Sequence, residues 1–94
     1  MAKSIKWLRK ALKSLEQAYG YMAETDADAA IALVLKIQAA TQQLAEFPMM
    51  GRVGRVDGTR ELVITNSPYL VIYRVKGNAV QILRVLHASK RYPD

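Results

Sequence analysis

Ninety-four residues, 51% of them apolar, supply one small core and too little chain for a second domain, so residues 1–94 are read as a single domain. Without cysteine there is no disulfide framework and no thiolate metal site, and a single histidine leaves zinc chemistry short of ligands; no metal and no cofactor are expected. The net charge of +6 is lopsided: residues 1–47 carry six Lys/Arg against five Asp/Glu, residues 48–94 eight against three. A basic half points to an anionic partner, or to a solvated basic face.

The opening "MAKSIKWLRKALKSL" is basic but lacks the continuous apolar stretch and small-residue cleavage site of a signal peptide. No apolar run approaches the ~20 residues that span a bilayer, so a cytoplasmic protein with no membrane partner is expected. Residues 4–7 read as a short strand. Leu8, Ala11, Leu12, Leu15, Ala18, Tyr19 and Met22 then recur at helical spacing and predict an amphipathic helix, which Gly20 weakens without ending. "TDAD" predicts the next helix start: Thr25 or Asp26 can accept orphan backbone N–H groups, and Asp28 places negative charge at the positive end of the dipole. Ala30, Leu33, Val34, Ile37, Leu44 and Phe47 form its main stripe, and Ile31 and Leu35 fall outside it, which predicts contact on a second side. Phe47-Pro48 is expected to end the helix, because the residue before proline is pushed out of the α region.

The second half changes period. "MMGRVGRVDGT" reads as a glycine-punctuated loop; its G-x-x-G resembles the nucleic-acid clamp of a KH domain but precedes a strand, where the clamp needs two helices. Residues 60–65, 69–75 and 79–87 read as strands, the last two joined by a two-residue Gly77-Asn78 turn. The fold class is α+β: an N-terminal helical hairpin packed on a small, mainly antiparallel sheet.

That turn predicts the pairs Lys76–Ala79, Tyr73–Ile82 and Val71–Arg84, and directly opposed residues share a face. One face then carries Leu70, Ile72, Leu83 and Val85 and is expected under the helices. The other carries Tyr69, Val71, Tyr73, Ile82 and Arg84 and is expected to stay open, since an unpaired guanidinium in the core is very costly. If the chain is catalytic, Arg60, Arg84, His87, Lys90, Arg91 and the tyrosines are its tools, a set suited to stabilising a phosphorane-like transition state and moving a proton without metal. The bland readings are a packed Arg84 stacked on tyrosine beside Glu61, a hydrogen-bonded structural His87 and a solvated basic tail.

"GRVGRVDGTRELV", "YLVIYRV" and "ILRVLH…YP", preceded by a helical hairpin, together resemble the RelE/ParE superfamily of bacterial toxins, across nearly the whole chain. The resemblance implies the toxin half of a type II toxin–antitoxin module, with a cognate antitoxin that wraps the toxin in an extended, partly helical tail. It also implies one of two targets: the ribosome, whose mRNA RelE-like members cut without metal, or DNA gyrase, which ParE-like members poison. RelE-like nucleases carry Tyr-Arg-Leu-Val-Tyr in the third strand, with that arginine catalytic. Here the run is Tyr69-Leu70-Val71-Ile72-Tyr73, so Leu70 replaces the arginine, and "RELVIT" offers only Arg60 where that branch has lysines. Lys90-Arg91 resembles its C-terminal basic pair, and some nuclease branches use a C-terminal histidine and aromatic residue, matched by His87 and Tyr92.

The expectations are therefore a gyrase-directed toxin with binding residues Arg60, Tyr69, Tyr73 and Lys90, or a ribosome-dependent mRNA endonuclease with catalytic Arg84, His87, Arg91 and Tyr92. A toxin that has lost its activity and acts only with its antitoxin is a third outcome. Ile31 and Leu35 are assigned to the antitoxin contact.

Overall fold

In the computed structural model, which describes residues 2–93, strand β1 (Ser4–Trp7) runs parallel to the C-terminal strand β5 (Ala79–His87) and forms one edge of the sheet. The remaining strands, β2 (Arg52–Val53), β3 (Arg60–Val63) and β4 (Tyr69–Lys76), extend it antiparallel, in the order β1-β5-β4-β3-β2. The two residues of β2 lie in the stretch expected to be loop: they pair with Arg60 and Glu61, a ladder too short to show as a sequence pattern.

Helices α1 (Arg9–Ala23) and α2 (Ala27–Gln43) cover one face. The start of α2 is as the sequence predicts: the Asp26 carboxylate accepts the Ala29 N–H at 3.0 Å, and Asp28 lies in the first turn. Its end comes four residues before Phe47. Residues 44–46 tighten into i→i−3 bonds (Leu44 to Thr41, Ala45 to Gln42, Glu46 to Gln43), and Phe47 is left exposed outside the core. The buried side of α1 is Ala11, Ser14 and Ala18, with Leu12 and Tyr19 turned outward. These small residues let the helix lie close on β5. Ser14 completes the contact: its hydroxyl donates to the Ala11 carbonyl (2.8 Å) and accepts the Val85 N–H (2.8 Å). β1 ends opposite Ile82, so the serine supplies an acceptor where β1 no longer flanks β5.

The β4–β5 hairpin corrects the assignment of faces. Gly77, at φ +58°, makes the turn, and Lys76–Ala79 and Tyr73–Ile82 pair as predicted. A one-residue bulge in β5 at Leu83 then shifts the register, so that Arg84 opposes Ile72 and Val71 opposes Val85. The face of Tyr69, Val71, Tyr73, Val80, Ile82 and Val85 is the one under the helices, and Tyr69 and Tyr73 are buried in the main core. Leu70, Ile72 and Leu83 belong to the other face with Leu86. Arg84 does lie on the open face, as charge burial demands, but the bulge puts it there and separates it from both tyrosines. A bulge of one residue exchanges the faces beyond it and leaves no mark in apolar alternation.

Both tyrosines tolerate the core because their polar tips reach its edge. Tyr73 donates its hydroxyl to the Pro48 carbonyl (2.7 Å) and accepts the Gly51 N–H (2.9 Å). Arg60 Nη1 donates to the Gly51 carbonyl (2.7 Å). The loop after α2 is thus pinned from beneath. A Cβ on Gly51 would sit 2.7 Å from Tyr73 Cε1, and one on Gly54 would sit 2.9 Å from the Thr59 carbonyl oxygen, so both glycines of "GRVG" serve close backbone approach.

Candidate binding surfaces on the two faces of the sheet

The open face of the sheet has an apolar centre and a basic rim. Ile72, Leu83 and Leu86 form a small second core with Leu8, Leu70 and Tyr92 packed against it, Tyr92 arriving from the C-terminal segment. The Arg84 guanidinium lies over the Tyr92 ring, 6.0 Å from its centroid, and its Nη1 donates to the Leu83 carbonyl (3.1 Å). Strand register puts Lys6, Arg74 and Arg52 around this centre. Arg74 donates to Gln81 Oε1 (2.6 Å), and Arg52 pairs with Glu61 (3.0 Å). Glu61 is therefore committed to Arg52.

His87 lies on the helix-covered side, opposite Tyr69 in the register, and the two rings meet edge-on with centroids 5.4 Å apart. With Tyr21, Ser89 and Lys90 they line a cleft of about 420 Å³ between the end of α1 and the C-terminal turn. Backbone bonds from Ala88 N–H to the Pro68 carbonyl (2.7 Å) and from Lys90 N–H to the His87 carbonyl (2.9 Å) hold that turn. His87 Nδ1 accepts the Ser89 N–H (3.1 Å), which places the hydrogen of a neutral ring on Nε2, facing away from that contact. Burial, and secondarily the nearby Tyr21 phenol, push the Tyr69 hydroxyl above its ordinary value. Burial does the same to Tyr73, against the lowering effects of the Gly51 N–H and of Arg60.

The sequence-predicted residues thus fall into separate places. Arg84 and Tyr92 meet on the open face; His87, Tyr69 and Lys90 meet on the covered side. Arg60 and Tyr73 brace the loop after α2, and Arg91 is exposed in the tail. Tyr21 and Ser89 escaped the sequence reading: Tyr21 is off the α1 stripe, and Ser89 matters only because the chain turns back at His87. A third surface, a groove of about 340 Å³, runs between the helices, lined by Leu15, Glu16, Tyr19, Ile31, Val34 and Leu35. Ile31 and Leu35, 50% and 59% exposed, are its outer wall, so this side of α2 opens to solvent beside α1.

Residues 5–92 match the family model described as ParE toxin of the type II toxin–antitoxin system, parDE. This chain belongs to the ParE toxin family. Among its relatives, Y4kP of Sinorhizobium fredii, a candidate toxin, is 42% identical over 92 residues, covering 98% of this chain and 95% of that one. Toxin RelE2 of Caulobacter vibrioides is 33% identical over 84 residues, covering 89% and 93%. A structure of the chromosomal ParDE system from P. aeruginosa superposes with a TM-score of 0.84 at 30% identity, over 92% of this chain and 96% of that one. The toxin–antitoxin complex RelBE2 from Mycobacterium tuberculosis shares the fold, with a TM-score of 0.61 at 22% identity, over 93% and 99%. The protein is a ParE/RelE-like toxin of a type II module: two helices on a five-stranded mixed sheet. No helix among the described residues is long and apolar enough to cross a membrane.

Proposed function

We propose that this toxin arrests growth by binding DNA gyrase through the open face of its sheet, and that its antitoxin docks on the opposite, helical side. The carrying observation is the chemistry of the open face. Leu70 stands where RelE-like nucleases place a catalytic arginine, and it sits among Ile72, Leu83 and Leu86. A ribonuclease site needs cations and a proton carrier converging on one scissile phosphate. Here Arg84 is on the open face and His87 on the covered one. Ile72, Leu83 and Leu86 are themselves closed over by Leu8, Leu70 and Tyr92, so a partner meets those partly buried apolar side chains and the basic rim, a composition that suits a protein interface.

The antitoxin reading is supported by the apolar groove of Leu15, Tyr19, Ile31, Val34 and Leu35, whose composition suits the apolar face of one amphipathic helix. Replacing Ile31 or Leu35 by Asp leaves folding intact, both being exposed, and prevents neutralisation by the antitoxin.

Replacing His87 by Gln, in cells expressing the toxin without antitoxin, tests the target. A gyrase poison keeps its toxicity in this variant. A nuclease that used His87 for proton transfer would lose roughly 10²–10⁴-fold in cleavage, and growth would recover. The clustering of His87, Lys90 and Tyr69 is what favours that second reading.

A further inference from the structure

Helix α1 separates two surfaces. Leu15 and Tyr19 face α2 and the apolar groove; Ser14, Gln17, Ala18 and Tyr21 face the end of β5 and the C-terminal turn. On that second side a narrower extension of about 160 Å³, which shares Tyr69, His87 and Lys90, continues the 420 Å³ cleft along α1. Tyr19 and Tyr21 are two residues apart, about 3 Å along the helix axis but roughly 200° around it, so they project from nearly opposite sides of its last turns. A segment that fills both surfaces therefore crosses over the end of α1 to pass from the groove to the cleft.

The cleft is built to donate. Ser89 N–H fixes His87 Nδ1 as acceptor, which leaves Nε2–H of a neutral ring as a donor; Lys90 brings an ammonium group, and Tyr21 and Tyr69 bring hydroxyls. A phenol is protonated, and so a donor, at neutral pH, and burial of Tyr69 moves its titration further from that range. Among the described residues, no carboxylate lines the cavity. Among its lining residues Lys90 is the one with a fixed full charge, which complements a single negative group. A lysine can hold phosphate as a point charge too, but phosphate sites commonly add bidentate arginines or nests of backbone N–H groups, and no arginine is among the described lining residues.

Resting on the antitoxin reading above, we propose that the Tyr21–Tyr69–His87–Lys90 cleft receives a side-chain carboxylate of the same antitoxin segment that fills the α1–α2 groove. The groove supplies apolar area, and the cleft fixes the register and direction of the bound segment through charge-assisted hydrogen bonds. The basic half of this chain complements an acidic segment.

The test titrates the purified full-length antitoxin, the product of the adjacent reading frame that rescues growth, into the toxin and its variants. Lys90→Ala and Tyr21→Ala, both at exposed positions, are expected to weaken binding, Lys90→Ala about tenfold, with a shallower salt dependence. One Asp→Asn or Glu→Gln change in the antitoxin should weaken binding to the parent toxin equally, and add nothing against Lys90→Ala. If Ile31→Asp abolishes binding while Lys90→Ala and Tyr21→Ala stay within twofold of the parent, the cleft assignment is overturned and the antitoxin reading stands. If Ile31→Asp and Leu35→Asp also leave affinity unchanged, the groove reading fails and carries the cleft with it. Displacement of the antitoxin by a single-stranded RNA oligonucleotide, dependent on Lys90 and Tyr21 with no antitoxin acid coupling to Lys90, gives the cleft to nucleic acid instead.

Discussion

A single phenol does the most work for its size. Tyr73 is fully buried, yet its hydroxyl holds the Pro48 carbonyl and the Gly51 N–H, and with Arg60 it anchors the loop that turns α2 into β2. Tyr73→Phe removes both bonds and leaves the Pro48 carbonyl and Gly51 N–H without that partner, a loss of about 1–3 kcal/mol that a shift in the urea midpoint measures. The same variant changes the alkaline limb. Tyr69 and Tyr73 are both raised above the phenol value near 10, chiefly by burial. The unfolded chain therefore releases these protons first. Stability contributed by the two phenols is complete below about pH 10 and is lost as pH rises through and beyond that value. Stability measured against pH should fall there, and less steeply in Tyr73→Phe. Ser14→Ala strands the Val85 N–H in the core and should cost about 1–3 kcal/mol, whereas Ser14→Thr keeps an acceptor but crowds the close α1–β5 contact.

At the scale of elements, what the sequence declares is what periodicity and caps can encode. The Asp26 start of α2, the Gly77-Asn78 turn and four of the five strands follow from local chemistry. Asp26→Ala should lower stability by about 1 kcal/mol through loss of its bond to Ala29 N–H, read from the thermal midpoint. What stays hidden is set by tertiary packing. The bulge at Leu83 costs no change in the apolar pattern, yet it sends Arg84 to the face opposite Tyr73, which leaves the tyrosine face to be covered by the helices. The stripe of α1 misleads for a related reason: closeness to β5 favours Ala11, Ser14 and Ala18, so the larger Leu12 and Tyr19 turn outward and Tyr19 enters the groove. Ile31 and Leu35 were legible as unclaimed apolar positions because they break the stripe. Tyr21 was not, since nothing in the local pattern shows that β5 ends beside it.

For the molecule as a whole, the division of surfaces matters more than any one residue. The open face joins apolar Ile72, Leu83 and Leu86 to the rim of Lys6, Arg74 and Arg84; the helical side carries the groove and the donor-lined cleft. Target and antitoxin can then bind different sides, with inhibition depending on the open face alone. Charge reversal at Lys6 and Arg74, both exposed, should weaken target inhibition by slowing association, most at low salt, while antitoxin affinity is retained. The apolar centre of that face, with Leu70 at the position of the nuclease arginine, is the reason a protein target is proposed over a phosphodiester. The most direct measurement titrates the purified, antitoxin-free protein in parallel into a gyrase supercoiling reaction and a coupled translation reaction. Loss of supercoiling with translation intact is the predicted result; loss of translation with cleaved mRNA and supercoiling unaffected would contradict it.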